Sequence, residues 1–438
     1  MLSRLPSARV FTLGCKVNQF ESAAMAEQLQ SLGYALSPGG PYDLLILNTC
    51  AVTDAAEKEA LRLLRRLRRE NPGATILATG CLAQERAAVF LQKAGARAIF
   101  GNDRKGNLKE VLEARAGALQ LAAVGSGEAR DLGDPALGKT RAFQKIQDGC
   151  SQNCSYCVIP QARGESRSLS LGRVLTGLES YARRGFREVV LTGIHLGNWG
   201  RDLSPPSDLK RLLAEIARVF NPSPHSFRLR LSSLEPTEAW EIRETLGEHP
   251  FVAPHLHVPL QAGTDKILAL MKRPYRVAFY AKVARSLREL YPQMSLGTDF
   301  MVGFPGETEE DFAESLAFLR DLPVTYAHVF PFSARPGTPA ATLPGQVSAA
   351  NKKERAQRAR AFDRARRGEF LQASLGREHL AIVENTPHAP SGRLKVLTGN
   401  YLVALLDAPA PMGELARVTL RAPQNPWGLA EAALRLDP

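Results

Sequence analysis

The sequence lacks any apolar run long enough to span a bilayer, and its most apolar stretches are as short as Leu44–Leu47. Met1–Val10 contains no apolar segment of the kind found in secretory signals. Cysteine is also scarce, with six residues in 438, and disulfides are disfavoured in a reducing cytosol. These absences argue against a membrane protein and against a disulfide-stabilised scaffold. We therefore expect a globular protein in the cytoplasm, with no membrane partner.

Acidic residues are fewer than basic ones. The chain has 44 Asp and Glu against 56 Lys and Arg, which gives a net charge of +12. A basic balance suits a polyanionic partner, nucleic acid before membrane. Many basic proteins bind no nucleic acid, so the charge alone leaves the partner open.

The first part of the chain alternates short apolar runs with helical patterns, which is typical of a parallel α/β sheet. The sequence predicts strands at Arg9–Leu13, Asp43–Leu47, Thr75–Ala78 and Ala98–Phe100. It predicts helices at Glu21–Leu32, Ala55–Arg69 and Ala83–Ala94. We assign residues 1–125 to an N-terminal domain with an open parallel sheet, followed by a Gly-rich linker at about 125–140.

A longer α/β series follows the linker. The sequence predicts strands at Ala142–Gln147, Glu188–Thr192, Phe227–Ser232, His255–Val258, Leu296–Val302 and Tyr326–Phe330. It predicts intervening helices at Leu171–Arg184, Thr264–Met271, Tyr280–Leu290 and Thr308–Leu319. Six β/α units indicate a partial (β/α)6 barrel, smaller than the closed eight-unit form. We assign residues 137–370 to this central domain.

The last part of the chain changes character after a basic helix predicted at Ala349–Gln372. Short β-like runs broken by Pro and Gly then predict a small all-β barrel in residues 373–438. These runs are Leu380–Glu384, Leu394–Leu397, Tyr401–Leu406 and Ala416–Leu420. The whole chain is therefore expected to be α/β, with a small β module at its end.

Three cysteines lie on one short loop after the first strand of the predicted barrel: Cys150, Cys154 and Cys157. Barrel active sites form at this end of the strands. Three thiolates can hold three irons of a [4Fe–4S] cubane and leave the fourth iron open for another ligand. The alternative is structural zinc, which needs four ligands. The next His along the chain is His195, so a distant fourth ligand stays open.

The other three cysteines, Cys15, Cys50 and Cys81, each follow a predicted strand of the N-terminal sheet. The carboxyl ends of parallel strands share one edge, where ligands bind. Glycine or capping residues precede each cysteine, as a loop close to a cluster requires. The alternative is three buried small hydrophobes, since free cysteine is commonly buried. That alternative does not predict the same strand-end position three times, and we favour a second cluster.

The loop spacing C-x3-C-x2-C, with Tyr156 before the last cysteine, resembles the signature of the radical S-adenosylmethionine (SAM) enzymes. The chain as a whole resembles their methylthiotransferase family. The resemblance is carried by Gly14-Cys15-Lys16-Val17-Asn18-Gln19, Asn48-Thr49-Cys50-Ala51-Val52-Thr53, Thr79-Gly80-Cys81, and Cys157-Val158-Ile159-Pro160-Gln161-Ala162-Arg163-Gly164. It implies SAM and two [4Fe–4S] clusters as cofactors, and places the β module like the family's RNA-binding TRAM domain.

Within that family, Cys15-Lys16-Val17-Asn18 resembles the branch that methylthiolates C2 of N6-threonylcarbamoyladenosine beside the anticodon of tRNA. The resemblance implies tRNA as partner, an electron donor such as a flavodoxin or ferredoxin, and a sulfur source. Alternatives are the isopentenyladenosine branch, a branch acting on a ribosomal-protein Asp, and a non-catalytic iron–sulfur RNA-binding protein. The intact cysteine loop argues against the last, and the basic charge favours RNA over a peptide.

The strand ends of the barrel supply candidate contacts to SAM or substrate. By the barrel argument they lie near the same open face as the cysteine loop, although loop networks also use such polar groups. With Tyr156 of the loop, the candidate cofactor-binding residues are Gly193, His195, Arg230, Ser232, Gln261 and Asp299. The sequence assigns no catalytic residue.

The predicted basic helix supplies candidate nucleic-acid contacts. Its run from Lys352 to Arg367 carries eight basic residues against two acidic ones, 8 − 2 = +6. Such runs are usually solvated faces, but this one adjoins the β module. The predicted contacts to tRNA phosphates are Arg358, Arg360, Arg364 and Arg366.

Overall fold

The structure is a computed structural model, and it describes residues 5–51, 54–92, 95–113, 119–120, 131–135, 139–220, 226–425 and 428–434. The α/β fold expected from the sequence is confirmed: a parallel sheet, a partial barrel and a small β-barrel follow one another along the chain. The predicted linker at 125–140 lies largely outside the described residues. No helix in the described part of the chain is both long and apolar enough to cross a membrane.

The first part is a six-stranded sheet in the order β2-β1-β3-β4-β5-β6, with every pair parallel. Its elements are β1 (Ser7–Thr12), α1 (Lys16–Ser31), β2 (Ala35–Leu36), β3 (Leu44–Thr49), α2 (Asp54–Glu70), β4 (Thr75–Gly80), α3 (Cys81–Glu85), α4 (Ala87–Gln92), β5 (Ala98–Phe100), α5 (Leu108–Glu113) and β6 (Leu119–Gln120). The central strand β3 is buried along its whole length, because apolar clusters cover both faces of the sheet.

The helix predicted at Ala83–Ala94 is wrong as a single element. It begins earlier, at Cys81, and breaks at Arg86 into α3 and α4. Apolar periodicity spans the break and therefore hides it. The early start follows from Gly80, whose φ of +97° ends β4 and turns the chain directly into α3.

The second part contains the six parallel barrel strands. Its elements are β7 (Ala142–Lys145), β8 (Gln147–Asp148), α6 (Ile159–Arg163), β9 (Arg167–Ser168), α7 (Leu171–Arg183), β10 (Glu188–Thr192), α8 (Leu209–Phe220), β11 (Arg228–Leu231), α9 (Pro236–Ile242), α10 (Thr245–Glu248), β12 (His255–His257), α11 (Asp265–Leu270), α12 (Val277–Leu290), β13 (Ser295–Val302), α13 (Glu309–Asp321), β14 (Tyr326–Pro331) and α14 (Ala349–Ser374). The strands form two parallel triplets, β7-β10-β11 and β12-β13-β14.

The barrel strands alternate between two environments. Val189, Leu191, Leu229 and Leu231 face the large apolar core shared with the surrounding helices. Glu188, Arg228 and Arg230 take the alternate positions, since successive side chains of a strand point to opposite faces. The inner face of the partial barrel therefore carries buried charged side chains beside a small apolar cluster that includes Val190.

The third part is a closed barrel of five strands in the order β15-β16-β17-β19-β18. The strands are β15 (Glu378–Val383), β16 (Lys395–Thr398), β17 (Val403–Leu406), β18 (Leu415–Arg421) and β19 (Ala430–Leu434). Sequence analysis predicted the first four and missed β19. Its alanine-rich sequence has weak strand propensity, and its pairing with β17 and β18 decides its conformation.

Candidate active site

The three loop cysteines lie between β8 and α6, and each is held differently. Cys154 is buried, and its Sγ accepts a hydrogen bond from Arg273 Nη1 at 3.3 Å. Cys150 is partly buried, with its Sγ 3.7 Å from His195 Nδ1. Burial raises the pKa of Cys157 to about 12. A cluster that took these thiols as thiolate ligands would have to displace their protons.

The two basic side chains that contact these sulfurs, His195 and Arg273, are each paired with a glutamate. Glu238 Oε1 lies 2.7 Å from His195 Nε2, and Glu235 pairs with Arg273. Burial alone would lower the pKa of His195, but its contacts with Cys150 and Glu238 raise it to about 10. The predicted site residue His195 therefore lies at the cysteine loop. Sequence reasoning missed Arg273, Glu235 and Glu238, because they lie on other elements and match no motif.

Several predicted SAM contacts surround the same end of the barrel. The Oγ of Ser232 and the Oε1 of Gln261 are buried and have no hydrogen-bond partner among the described residues. Buried polar atoms are normally satisfied, so unpaired ones at strand ends fit a missing polar ligand. A Cβ on Gly193 would lie 2.8 Å from Gln147 Oε1, which also accepts a hydrogen bond from His195 N. This close packing explains the glycine without a ligand.

Tyr156 directs its ring toward the apolar core. It is partly buried and packs edge-on against Phe304, with ring centroids 6.4 Å apart. Burial raises the pKa of its hydroxyl well above the ordinary value. Tyr156 therefore has a packing role next to Cys157 in this structure.

Arg230, a predicted SAM contact, lies on β11 as the sequence predicts. It is fully buried, and its N–H groups donate to Glu188 and to the backbone carbonyls of Gly399 and Thr398. These contacts join the barrel to the C-terminal module. Its hydrogen bonds in this structure go to protein groups, and its contact with SAM stays a prediction.

Asp299 is also engaged by protein groups. Its Oδ1 lies 3.0 Å from His257 Nε2 and 3.4 Å from His328 Nδ1. Burial alone would raise the pKa of Asp299, but the two histidines hold it well below its usual range. The structure thus assigns this carboxylate to a His–Asp–His cluster on β12, β13 and β14.

The three scattered cysteines meet at one edge of the N-terminal sheet. Cys15 precedes α1, Cys50 directly follows β3, and Cys81 directly follows β4. The three strands before them are neighbours in register, with Thr12 opposite Asn48 and Thr49 opposite Gly80. Gly14 has a φ of +107°, and a Cβ there would lie 2.6 Å from the Cβ of Cys50. Only glycine allows the Cys15 loop to approach Cys50 so closely.

Asn18 connects the loops that carry these cysteines. Its Nδ2 donates to the carbonyls of Leu13 and Thr49, at 2.8 and 3.0 Å. Thr49 Oγ1 in turn donates to Thr79 O at 2.7 Å and accepts from Ala83 N. The residues around each cysteine that resemble the family motifs therefore have a structural role, because their hydrogen bonds hold the three loops together.

The spacing of the sulfurs bears on which metal fits. A tetrahedral zinc would hold two thiolates about 3.8 Å apart, given Zn–S bonds of about 2.3 Å. Among the described residues, the one set of three ligand atoms within 4.8 Å of one another is His257, Asp299 and His328. In neither cysteine triad do all three sulfurs lie within that distance of one another. A cubane, in which each thiolate binds a different iron, holds its thiolates farther apart than one zinc ion does.

The four arginines predicted to bind phosphate differ in their surroundings. Arg358 pairs with Glu309 and Glu354, and Arg366 pairs with Glu369 and donates to a backbone carbonyl. Arg360 and Arg364 are exposed, and within the described residues no hydrogen bond or ion pair engages them. The stripe on α14 that remains available to a phosphate therefore includes Arg360 and Arg364.

A partial six-stranded barrel with a three-cysteine loop at its strand ends defines a protein of the radical SAM class. Residues 145–319 match the radical SAM superfamily, and residues 7–101 match the uncharacterized protein family UPF0004. A solved radical SAM methyltransferase, TsrM from Kitasatospora setae, has the same fold, with a TM-score of 0.56, 15% identity and coverage of 77% of this chain and 74% of that one.

Relatives of known name extend the match to almost the whole chain. The threonylcarbamoyladenosine tRNA methylthiotransferase MtaB of Aquifex aeolicus is 34% identical over 93% of this chain and 98% of its own length. The MtaB of Thermotoga maritima is 36% identical over 80% of each chain, and that of Bacillus subtilis is 36% identical over 79% and 78%. This chain belongs to the MtaB-type methylthiotransferase family of radical SAM enzymes.

Proposed function

We propose that the chain transfers a methylthio group to C2 of N6-threonylcarbamoyladenosine in tRNA, using SAM and two [4Fe–4S] clusters. Relatives of at least 34% identity over most of the chain carry this activity in their names. The observation that carries the proposal is the presence of two separate cysteine triads, each at the carboxyl ends of parallel strands. One triad suits the cleavage of SAM, and the other suits the supply of sulfur.

Cys150, Cys154 and Cys157 would hold the cluster that supplies a carbon-centred radical from SAM when it is bound. Arg273 and His195 direct hydrogen bonds at two of these sulfurs, and their own partners Glu235 and Glu238 fix their orientation. Ser232 and Gln261 offer unpaired polar atoms to the polar groups of SAM. Tyr156 and Gly193 keep the loop packed, and His195 links it to the end of β10.

Cys15, Cys50 and Cys81 would hold the second cluster and the sulfur that is added. The domains proposed from the sequence divide this work: residues 1–125 carry the sulfur site and residues 137–370 the SAM site. Residues 373–438 form the module that adjoins the basic helix α14, on which Arg360 and Arg364 contribute contacts to RNA phosphates. An electron donor such as a flavodoxin or ferredoxin and a separate sulfur source complete the proposal, in the cytoplasm.

The proposal is tested by nucleoside mass spectrometry of tRNA from cells that lack this protein. The methylthio form of N6-threonylcarbamoyladenosine should disappear, return with the wild-type gene, and stay absent with Cys50→Ala. If the methylthio form of isopentenyladenosine disappears instead, the protein belongs to the branch of the family that acts on that nucleoside. An unchanged tRNA with an altered ribosomal protein would refute the tRNA assignment.

A further inference from the structure

Arg163 is buried between the N-terminal sheet and the barrel, with about 1% of its surface exposed. It ends α6, six residues after Cys157, so it belongs to the SAM-binding part of the chain. Its Nε nevertheless donates to Cys81 Sγ of the N-terminal triad, at 3.2 Å. The side chain of Arg163 therefore contacts the N-terminal triad, although Arg163 itself lies just after the SAM-loop triad in the sequence.

The remaining N–H groups of Arg163 connect both domains. Nη1 donates to Glu21 at 2.8 Å and to Asp148 at 2.9 Å, and Nη2 donates to Asn18 at 2.9 Å. Glu21 and Asn18 lie on α1, the helix that Cys15 precedes, whereas Asp148 ends the strand that leads to Cys150. The guanidinium thus fixes the two cysteine sites relative to each other.

Two lysines complete a buried ionic network around Arg163. Lys105 Nζ lies 2.5 Å from Glu21, and Lys145 Nζ lies 2.9 Å from Asp148 and 3.4 Å from Glu21. Glu21 therefore has three cationic partners, and Asp148 has two.

The network carries an unbalanced charge. Its cations are Arg163, Lys105 and Lys145, and its anions are Glu21 and Asp148, which gives 3 − 2 = +1. A buried net charge is costly unless an opposite charge accompanies it. An oxidised [4Fe–4S] core of charge +2 bound by three thiolates has a net charge of about 2 − 3 = −1. A cubane on Cys15, Cys50 and Cys81 would neutralise the network.

We infer that Arg163 and its network form the counter-charge of the N-terminal cluster, and that Arg163 is its positioning residue. The inference rests on the proposed second cluster. A hydrogen bond to a ligand sulfur and a nearby positive charge both favour the reduced, more negative cluster. Arg163 therefore raises the reduction potential of this cluster and holds it at a fixed place relative to the SAM loop.

The test isolates the N-terminal cluster in full-length protein carrying Cys150→Ala, Cys154→Ala and Cys157→Ala. In this background, Arg163→Gln should shift the midpoint potential, measured by redox titration with EPR detection, to more negative values. It should also speed the loss of iron to a chelator severalfold. Arg163→Lys keeps the charge but not the planar fork, so its shift should be smaller and in the same direction. Arg355→Gln is the matched control, because this buried arginine of α14 pairs with Glu307, and no contact with a cysteine is found among the described residues.

The outcomes separate this inference from the proposed function. A background protein that binds no cluster would refute the second cluster itself. A cluster whose midpoint and iron loss are unchanged by Arg163→Gln would overturn the role of Arg163 and leave the second cluster standing. If Arg163→Gln does not fold, an unchanged midpoint together with unchanged iron loss in Arg163→Lys overturns Arg163 as the positioning residue.

Discussion

The two cysteine triads both lie at the carboxyl ends of parallel strands, but they differ in what surrounds them. Around Cys150, Cys154 and Cys157, the cations are paired one to one with carboxylates: Arg273 with Glu235 and His195 with Glu238. Around Cys15, Cys50 and Cys81, a shared network of five charges keeps an excess of +1. The first site has unpaired polar atoms for a ligand, and the second has an unpaired charge.

This difference teaches how each site would recognise its cofactors. The barrel site is balanced before any ligand arrives, and Ser232 and Gln261 leave unpaired polar atoms for a small polar molecule. In the N-terminal site, hydrogen bonds join the cysteine loops, Cys15 is exposed, and the adjoining excess positive charge favours an anionic cluster. Under the proposed function, the site for SAM and the site for the second cluster therefore differ in their electrostatics.

The sharpest way to break the comparison is to remove one triad at a time. Replacing Cys15, Cys50 and Cys81 with Ala should leave the cleavage of SAM to 5′-deoxyadenosine and abolish methylthio product. Replacing Cys150, Cys154 and Cys157 should abolish both, because no radical is then formed. Chromatography of reconstituted reactions measures both products. Normal methylthiolation by the N-terminal triple variant would show that its cysteines do not deliver sulfur.

A smaller effect should come from the polar atoms of the barrel site. Ser232→Ala should raise the Kd of SAM about fivefold, since one hydrogen bond contributes about 1 kcal/mol. Isothermal titration of the anaerobic protein measures it. Ser391→Ala in the C-terminal module is the control and should leave the Kd unchanged. Equal affinity in Ser232→Ala and wild type would remove this hydroxyl from the SAM site.

The smallest effect concerns tRNA, and α14 contains its own control. Arg360→Gln with Arg364→Gln should weaken tRNA binding and reduce the salt slope by about two, because two phosphate contacts are lost. Arg358→Gln with Arg366→Gln removes the same charge from arginines already paired with Glu, and should weaken binding less. Equal losses in both double variants would mean that only the net charge matters.

The contrast between the two sites also explains what the sequence could predict. The barrel triad occupies eight consecutive residues, so its spacing alone indicates a cluster loop. The N-terminal triad was predictable because each cysteine follows a strand, and parallel strands end at a common edge. The six barrel strands and the basic helix were predicted for a similar reason, since their periodicity is local.

The partners of these residues were not predictable from the chain. Arg163 and Cys81 are separated by 82 positions, and Arg273 and Cys154 by 119, so only the folded chain brings them together. The partners of Arg230 were unpredictable for the same reason, because Thr398 and Gly399 lie in another domain. The position of a residue on a strand predicts its location in the fold, but its tertiary contacts determine which groups its side chain binds.

The central claim is that the N-terminal triad holds a cluster of its own, independent of the SAM loop. Iron analysis with Mössbauer spectroscopy on reconstituted protein carrying Cys150→Ala, Cys154→Ala and Cys157→Ala tests it most directly. We predict about four irons per chain with the spectrum of one cubane, against about eight in the wild type. Binding of one zinc, or of no cluster iron, by this variant would contradict the account.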